Sequence, residues 1–391
     1  MSVTYAKGFV ASGVVAGLKS TGAKDVALVV NEGPDHVAAA VFTSNRIVAA
    51  PVTWSRQAIA DGRIDAVVLN SGGANAATGP EGFADTHRTA ESVAVALQAD
   101  GRDVSAGDVA VCSTGLIGLR LPMDSLLGGI DAAAAALAAD GGDDASLAIL
   151  TTDSMPKLAT ADGGGWVVGG MAKGAGMLAP GLATMLCVIT TDAVLDATRA
   201  QAALHAAVRT TLNRVDSDGC MSTNDTVLLL ASGASGVQPG PGEFEAALTQ
   251  VCADLARGLV ADAEGATHDI AVTVSGASSE DAAEAVARAI ARSNLFKAAV
   301  FGGDPNWGRV ISAAGTVPAD VAPFEAGAID VSINGVQVCR GGGVGDDRDL
   351  VDLSGREVLV HVELHAGPAE VTIWTNDLTH DYVHENSAYS S

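Results

Sequence analysis

The stretch "APGLATMLCVITTDA", residues 179–193, constrains this chain more than any other. Its second half is a continuous apolar run of strand-forming residues, which reads as a strand buried on both faces. At the head of that run stands Thr184, just after a Pro180-Gly181 turn signal. Threonine favours strands, so packing alone accounts for it. The neighbours suggest more. Pro180-Gly181 can force a tight turn, Ala183 leaves the carbonyl before Thr184 sterically open, and the strand behind would hold the hydroxyl rigidly. A threonine so placed can attack the preceding peptide carbonyl and form an ester that water then cleaves. Cleavage leaves Thr184 with a free α-amine, whose ordinary pKa of about 8 suits a general base for its own hydroxyl. One residue then supplies both nucleophile and base.

The rest of the pattern is mixed α/β. Residues 26–30 ("VALVV") and 65–69 ("DAVVL") are short apolar runs ending in turn chemistry, which predicts buried strands. Helices are predicted over 82–99, 123–139, about 196–215, about 242–263 and 279–296. In the fourth, Phe244, Leu248, Val251, Leu255 and Leu259 form one apolar stripe. "DIAVTVSG" alternates as a strand. Asn334-Gly335 lies between alternating segments and predicts a type I′ hairpin. "REVLVHVELHAGPAEVTIWT" reads as another hairpin. With 391 residues, no internal repeat and no long linker, the chain suits two packed lobes.

Composition narrows the function. The net charge is −24, which disfavours nucleic acid and anionic membranes and favours small-molecule chemistry. No apolar run approaches the length of about 18 residues that spans a bilayer, and the N-terminus lacks the features of a signal peptide. Five scattered cysteines without a CxxC pair fit reduced thiols in a cytoplasmic enzyme.

Other motifs carry less. "GGMAKGAGMLAPG" (169–181) invites a phosphate-loop reading, but Lys173 precedes Gly174 and is followed by "GAG", whereas a phosphate loop has its lysine after the last glycine and before Ser or Thr. "HVELH" (361–365) puts His361, Glu363 and His365 on one face of an alternating strand, an ordinary solvated face and not a metal site. No G-x-S-x-G elbow is present to support a Ser-His-Asp triad.

The residues around Thr184 closely resemble the self-cleaving core of the ornithine acetyltransferase family, the bifunctional glutamate N-acetyltransferases of arginine biosynthesis. "VCSTGLIG" (111–118), "ILTTD" (149–153), "STNDTV" (222–227), "ADAEG" (261–265), "FGGDPNWGRV" (301–310) and "YVHENSAYSS" (382–391) also look like family signatures, in family order. The resemblance implies the mixed α/β fold of ornithine acetyltransferases and related aminopeptidases, an enzyme of the N-terminal-nucleophile type. It implies autocleavage between Ala183 and Thr184 into an α chain (1–183) and a β chain (184–391), assembled as a heterotetramer of two each. It assigns Thr184 as nucleophile and the Thr114 hydroxyl with the Gly115 amide as oxyanion hole, which a "STG" segment can supply chemically. Substrate contacts are implied at Thr151, Lys173, Thr184, Glu264, Asn386 and Ser391. Lys173 can pair with an α-carboxylate and Glu264 with the side-chain amine of ornithine. His268 departs from the lysine common in the family, and "VDSDGCMSTND" departs from an Asp-rich segment; both bear on substrate preference.

The implied reaction is ping-pong transfer of acetyl from N2-acetyl-L-ornithine to L-glutamate through an acetyl-threonine ester, with no cofactor and no metal. Whether acetyl-CoA also serves as donor stays open. Two alternatives compete: a self-processed amidase or aminopeptidase in which water takes the acyl group, and a non-enzymatic small-molecule binding protein with an intact chain.

Overall fold

The computed structural model describes residues 2–179 and 185–388. The chain forms two compact units. One takes the described residues up to Asn213 together with Cys220–Asp262, the other Arg214–Gly219 together with the described residues from Ala263 onward. The described residues on either side of 180–184 belong to the first unit.

Among the described residues, nine strands of the first unit build two sheets. β1 (Phe9–Val14), β2 (Val26–Asn31), β4 (Ala66–Asn70) and β5 (Val109–Ser113) form one in the order β1-β2-β4-β5, while β3 (Val37–Phe42), β6 (Lys157–Asp162), β7 (Val167–Lys173), β8 (Leu186–Thr191) and β9 (Thr226–Ala231) form the other in the order β3-β9-β8-β7-β6. The alternation of side chains explains why the predicted runs are apolar throughout. Val26, Leu28 and Val30 of β2 and Ala66 and Val68 of β4 pack against α2 (Gly79–Ala99) and α3 (Met123–Ala135), which follow α1 (Ala50–Ala58) in the chain. The intervening Ala27, Val29, Val67 and Leu69 face Met171, Leu186, Val188, Leu228 and Leu230 of the second sheet. Later in the chain come α4 (Gly142–Ala148), α5 (Ala197–Thr210) and α6 (Glu243–Ala261), of which α6 packs on β6 and β7 and α5 on β3. The unit is thus a helix–sheet–sheet–helix stack, and both sheets are covered on both faces. The stripe predicted on α6 is its buried face.

The second unit carries β10 (Asp269–Ala277), β11 (Asp330–Ile333), β12 (Val336–Arg340), β13 (Gly343–Val344), β14 (Glu357–Glu363) and β15 (Ala369–Asn376) in the order β13-β12-β11-β14-β10-β15. The Asn334-Gly335 hairpin forms as expected, with φ of +46° and +84° at its two central residues. The second expected hairpin does not. β10 lies between β14 and β15, parallel to the first and antiparallel to the second. The connection crosses the end of β10 instead, where Leu364 and Ala366 donate their amides to the Ser275 and Gly276 carbonyls. Three helices are shorter than expected, and the one expected over about 196–215 ends at Thr210. The one expected over 123–139 stops at Ala135, and the one expected over 279–296 divides into α7 (Glu280–Ala291) and α8 (Asn294–Phe301), because the Ser293 hydroxyl accepts from Phe296 N–H and starts a new helix. α9 (Trp307–Ala314) and α10 (His380–Ala388) complete the unit. Among the described residues, no helix is long and apolar enough to cross a membrane, and no disulfide joins the cysteines.

Candidate active site

β5 ends at Ser113, and the next two residues are the oxyanion candidates. Thr114 is buried, and its amide donates to the Asn70 carbonyl at 3.0 Å. Gly115 has φ of +127°, and a Cβ there would lie 2.9 Å from both the nitrogen and the Cα of Gly73. Only glycine fits that backbone. The loop carrying Gly73 runs alongside, with Ala74 N–H donating to the Leu116 carbonyl and Gly118 N–H to that of Ala76. Asn224 binds both loops at once, its Nδ2 donating to the Ser113 carbonyl at 2.8 Å and the Ala74 carbonyl at 2.6 Å. A hydroxyl and an amide are thus carried on a backbone fixed before any charge develops, the condition for oxyanion stabilisation.

The residue after Asn224 reaches the other sequence of interest. Asp225 Oδ1 accepts the Met185 amide at 3.1 Å, and Thr226 N–H donates to the Met185 carbonyl at 3.1 Å. Met185 directly follows Thr184, so consecutive side chains of "STNDTV" hold the backbone just before Thr114 and just after Thr184. Burial pushes the Asp225 carboxyl well above the usual carboxylate range, against the Met185 amide that favours its charged form.

Lys173 ends β7, and in register it lies opposite Leu186, which in turn lies opposite Thr226. Its side chain is 2% exposed, and its Nζ lies 3.7 Å from Oδ2 of the wholly buried Asp153. Asp153 gathers several donors. Lys157 Nζ reaches it at 2.5 Å, the Gly174 amide at 2.6 Å, and the Thr151 amide at 3.0 Å. Lys157 also pairs with Asp262 at 2.5 Å, and Asp262 accepts from the Ser154 amide and hydroxyl. Burial alone would raise the Asp153 carboxyl; the Lys173 and Lys157 ammoniums reverse that and hold it well below the usual range. The structure therefore brings Thr151 and Lys173 to one carboxylate.

Glu264 is half-buried in the turn after α6, and Asn386 of α10 donates to its Oε2 at 2.9 Å. The approach to the chain end is anchored: Thr379 Oγ1 donates to the Gly265 carbonyl at 2.7 Å and accepts the Tyr382 amide at 2.9 Å. Ala183, Thr184 and Ser391 lie outside the described residues. His361, Glu363 and His365 occupy the outer face of β14 and its end, bonded to Ser275 and Asp330, with Val358, Val360 and Val362 turned inward. His268 is occupied by Asp377 at 2.7 Å and by the Leu353 carbonyl.

The sequence motifs contain Asp153, Asn224, Asp225 and Asp262 without marking a part for them, and Lys157 lies outside those motifs. The available signal was charge and amide groups embedded within otherwise apolar or small-residue motifs, where burial demands partners.

The model of the ArgJ family matches residues 10–391. The chain belongs to the ArgJ family. A relative from Streptomyces avermitilis, an arginine biosynthesis bifunctional protein ArgJ, is 62% identical over the whole of both chains. One of the same description from Thermobifida fusca is 60% identical, again over the whole of both. Among solved structures, that of ornithine acetyltransferase from Mycobacterium tuberculosis complexed with ornithine is 56% identical, covering 47% of this chain and 96% of that one, with a TM-score of 0.46.

Proposed function

We propose that the chain moves an acetyl group from N2-acetyl-L-ornithine to L-glutamate through an ester on Thr184. As a member of the ArgJ family with whole-length relatives named for arginine biosynthesis, it is an acyltransferase of that process. The observation that carries the mechanism is the pairing of Asn224 with Ser113 and Asp225 with Met185. It supports an oxyanion site and a nucleophile held from one strand start.

The chain is cut between Ala183 and Thr184, giving an α chain (1–183) and a β chain (184–391). The freed Thr184 α-amine takes the hydroxyl proton as Oγ attacks the acetyl carbonyl. The Thr114 hydroxyl and Gly115 amide donate to the oxyanion. Collapse breaks the amide bond, and the α-amine returns the proton to departing ornithine. Glutamate then attacks the ester with its own α-amine, and the same groups act in reverse. Lys173, with Thr151, takes the α-carboxylate common to both substrates. Glu264, oriented by Asn386, takes the ornithine side-chain amine, and Ser391 completes the contacts. The relatives are named bifunctional, which fits acetyl-CoA as a second donor to the same ester. The functional assembly is two α and two β chains, and the compartment is the cytoplasm.

Intact mass under denaturing conditions tests the cleavage. By share of the 38.9 kDa chain, species of about 18 and about 21 kDa are expected, the larger starting at Thr184. Radiolabelled acetylornithine then tests the transfer: label in acetylglutamate supports it, and label in free acetate alone makes the enzyme an amidase. A fully processed and active Thr184→Ala variant would end the reading.

A further inference from the structure

The charge network around Asp153 is unusual in its economy. Two lysines, each 2% exposed, face two acids in the same buried cluster, and the partners are not equivalent. Lys157 sits at 2.5 Å from both Asp153 and Asp262, so it is the internal counter-ion of both. Lys173 stands at 3.7 Å from Asp153, too far for a direct hydrogen bond and close enough for attraction. Asp153 therefore restrains the direction of Lys173 without taking up its ammonium protons.

The same carboxylate sets the backbone on either side. Its oxygens accept the Thr151 amide and the Gly174 amide, so the loop carrying Thr151 and the residue following Lys173 share one anchor. These segments are about twenty residues apart and joined through β6 and β7, whose pairing ends at Lys157 and Ala172. Sheet register alone brings the strand ends together; it does not aim the two side chains.

We propose that Asp153 is the positioning residue of the substrate-carboxylate subsite, fixing Lys173 and Thr151 so that they take the α-carboxylate shared by both acetyl donor and acceptor. This rests on the transfer reaction proposed above. Asp153 does not touch substrate. Asp262 belongs to the same cluster, and its bonds run to Lys157, Ser154 and Met155. It is the internal control.

The test compares Asp153→Asn and Asp262→Asn in the processed full-length enzyme. Asp153→Asn should raise KM about tenfold or more for both acetylornithine and glutamate, with kcat changed by less than about threefold, the pattern of lost uniform binding. Asp262→Asn should leave both KM values within about twofold. A donor without a carboxylate, p-nitrophenyl acetate, reads Thr184 acylation independently. Its burst should persist in Asp153→Asn. A normal burst with unchanged KM values overturns the inference and leaves the transfer mechanism standing. No burst in the unaltered enzyme overturns the mechanism itself. Equal KM rises in both variants, or a burst lost together with KM in Asp153→Asn, reduce Asp153 to a structural ion and also overturn the inference. Should Asp153→Asn fail to fold, Asp153→Glu keeps the charge but shifts the carboxylate by one methylene. It should raise both KM values in the same direction, and wild-type KM values there would refute the assignment.

Discussion

At the residue scale, the oxyanion candidates separate into a side-chain donor and a backbone donor, and each makes its own prediction. Thr114→Val keeps shape and burial while deleting the hydroxyl. It should lower kcat by about 10²–10³-fold with little change in thermal midpoint, the usual loss for one oxyanion donor. An unchanged kcat would remove Thr114 from the site. Gly115→Ala must fail differently, because φ of +127° and the approach of Gly73 within 2.9 Å reject a Cβ. There both activity and thermal midpoint should fall. Asp225 predicts a pH dependence. Its folded pKa is raised by burial, so its favourable contribution is complete below the unfolded value of about 4 and is lost as pH rises through the folded value. Asp225→Asn, which cannot ionise, should therefore gain thermal midpoint relative to the unaltered protein as pH goes from 5 to 9. A constant difference across that range would show that the folded Asp225 carboxyl is already ionised at pH 5 and that its pKa is not raised. Thr114, Gly115 and Lys173 stand out as candidates because short motifs carry them. The contacts of Asp153, Asn224 and Asp225 are not legible, since what an acid or amide bonds to depends on the backbone that distant segments fold over it.

At the scale of elements, local chemistry was read well and non-local pairing was not. β2, β4 and the Asn334-Gly335 turn are visible because their causes, apolar runs and left-handed residues, lie within a few positions. β14 and β15 look like a hairpin for the same local reason, yet β10, from far earlier in the chain, takes the place between them. No local signal reports that insertion. The Asn334 turn also does more than reverse the chain. Asn334 Oδ1 accepts the Leu359 amide of β14 at 2.8 Å, and its Nδ2 donates to the Asp352 carbonyl at 2.6 Å. Asn334→Ala should thus lose two hydrogen bonds and also place alanine at φ of +46°. We expect a loss of about 3–4 kcal/mol in urea unfolding, at about 1 kcal/mol per bond plus a left-handed penalty of about 1–2 kcal/mol. Gly335→Ala, with open space around its Cβ, should cost only the backbone term of about 1–2 kcal/mol. Equal losses in the two variants would mean that the side-chain bonds of Asn334 contribute nothing.

At the scale of the molecule, the Ala183–Thr184 bond lies between β7 and β8, which are neighbours in one sheet. A cut there would assign β3, β6 and β7 to one piece and β8 and β9 to the other. Because the order is β3-β9-β8-β7-β6, the two strands of the second piece are flanked on both sides by strands of the first. Their backbone ladders run from Val37↔Ala231 to Phe42↔Thr226 on one side and from Val168↔Thr191 to Lys173↔Leu186 on the other. The core between the sheets is likewise shared, with Val29 and Leu69 packed against Val188 and Leu228. The pieces cannot part without opening the sheet and exposing that core, so cleavage should leave them as one folded body. Cleaved protein should elute as a single species in native gel filtration and resolve into its two chains only in denaturant. Unfolding then becomes a dissociation, and its midpoint should rise with protein concentration. An uncut Thr184→Ala chain carries both pieces on one backbone and should lose that part of the dependence. Separation of the chains in native buffer would contradict the strand order itself.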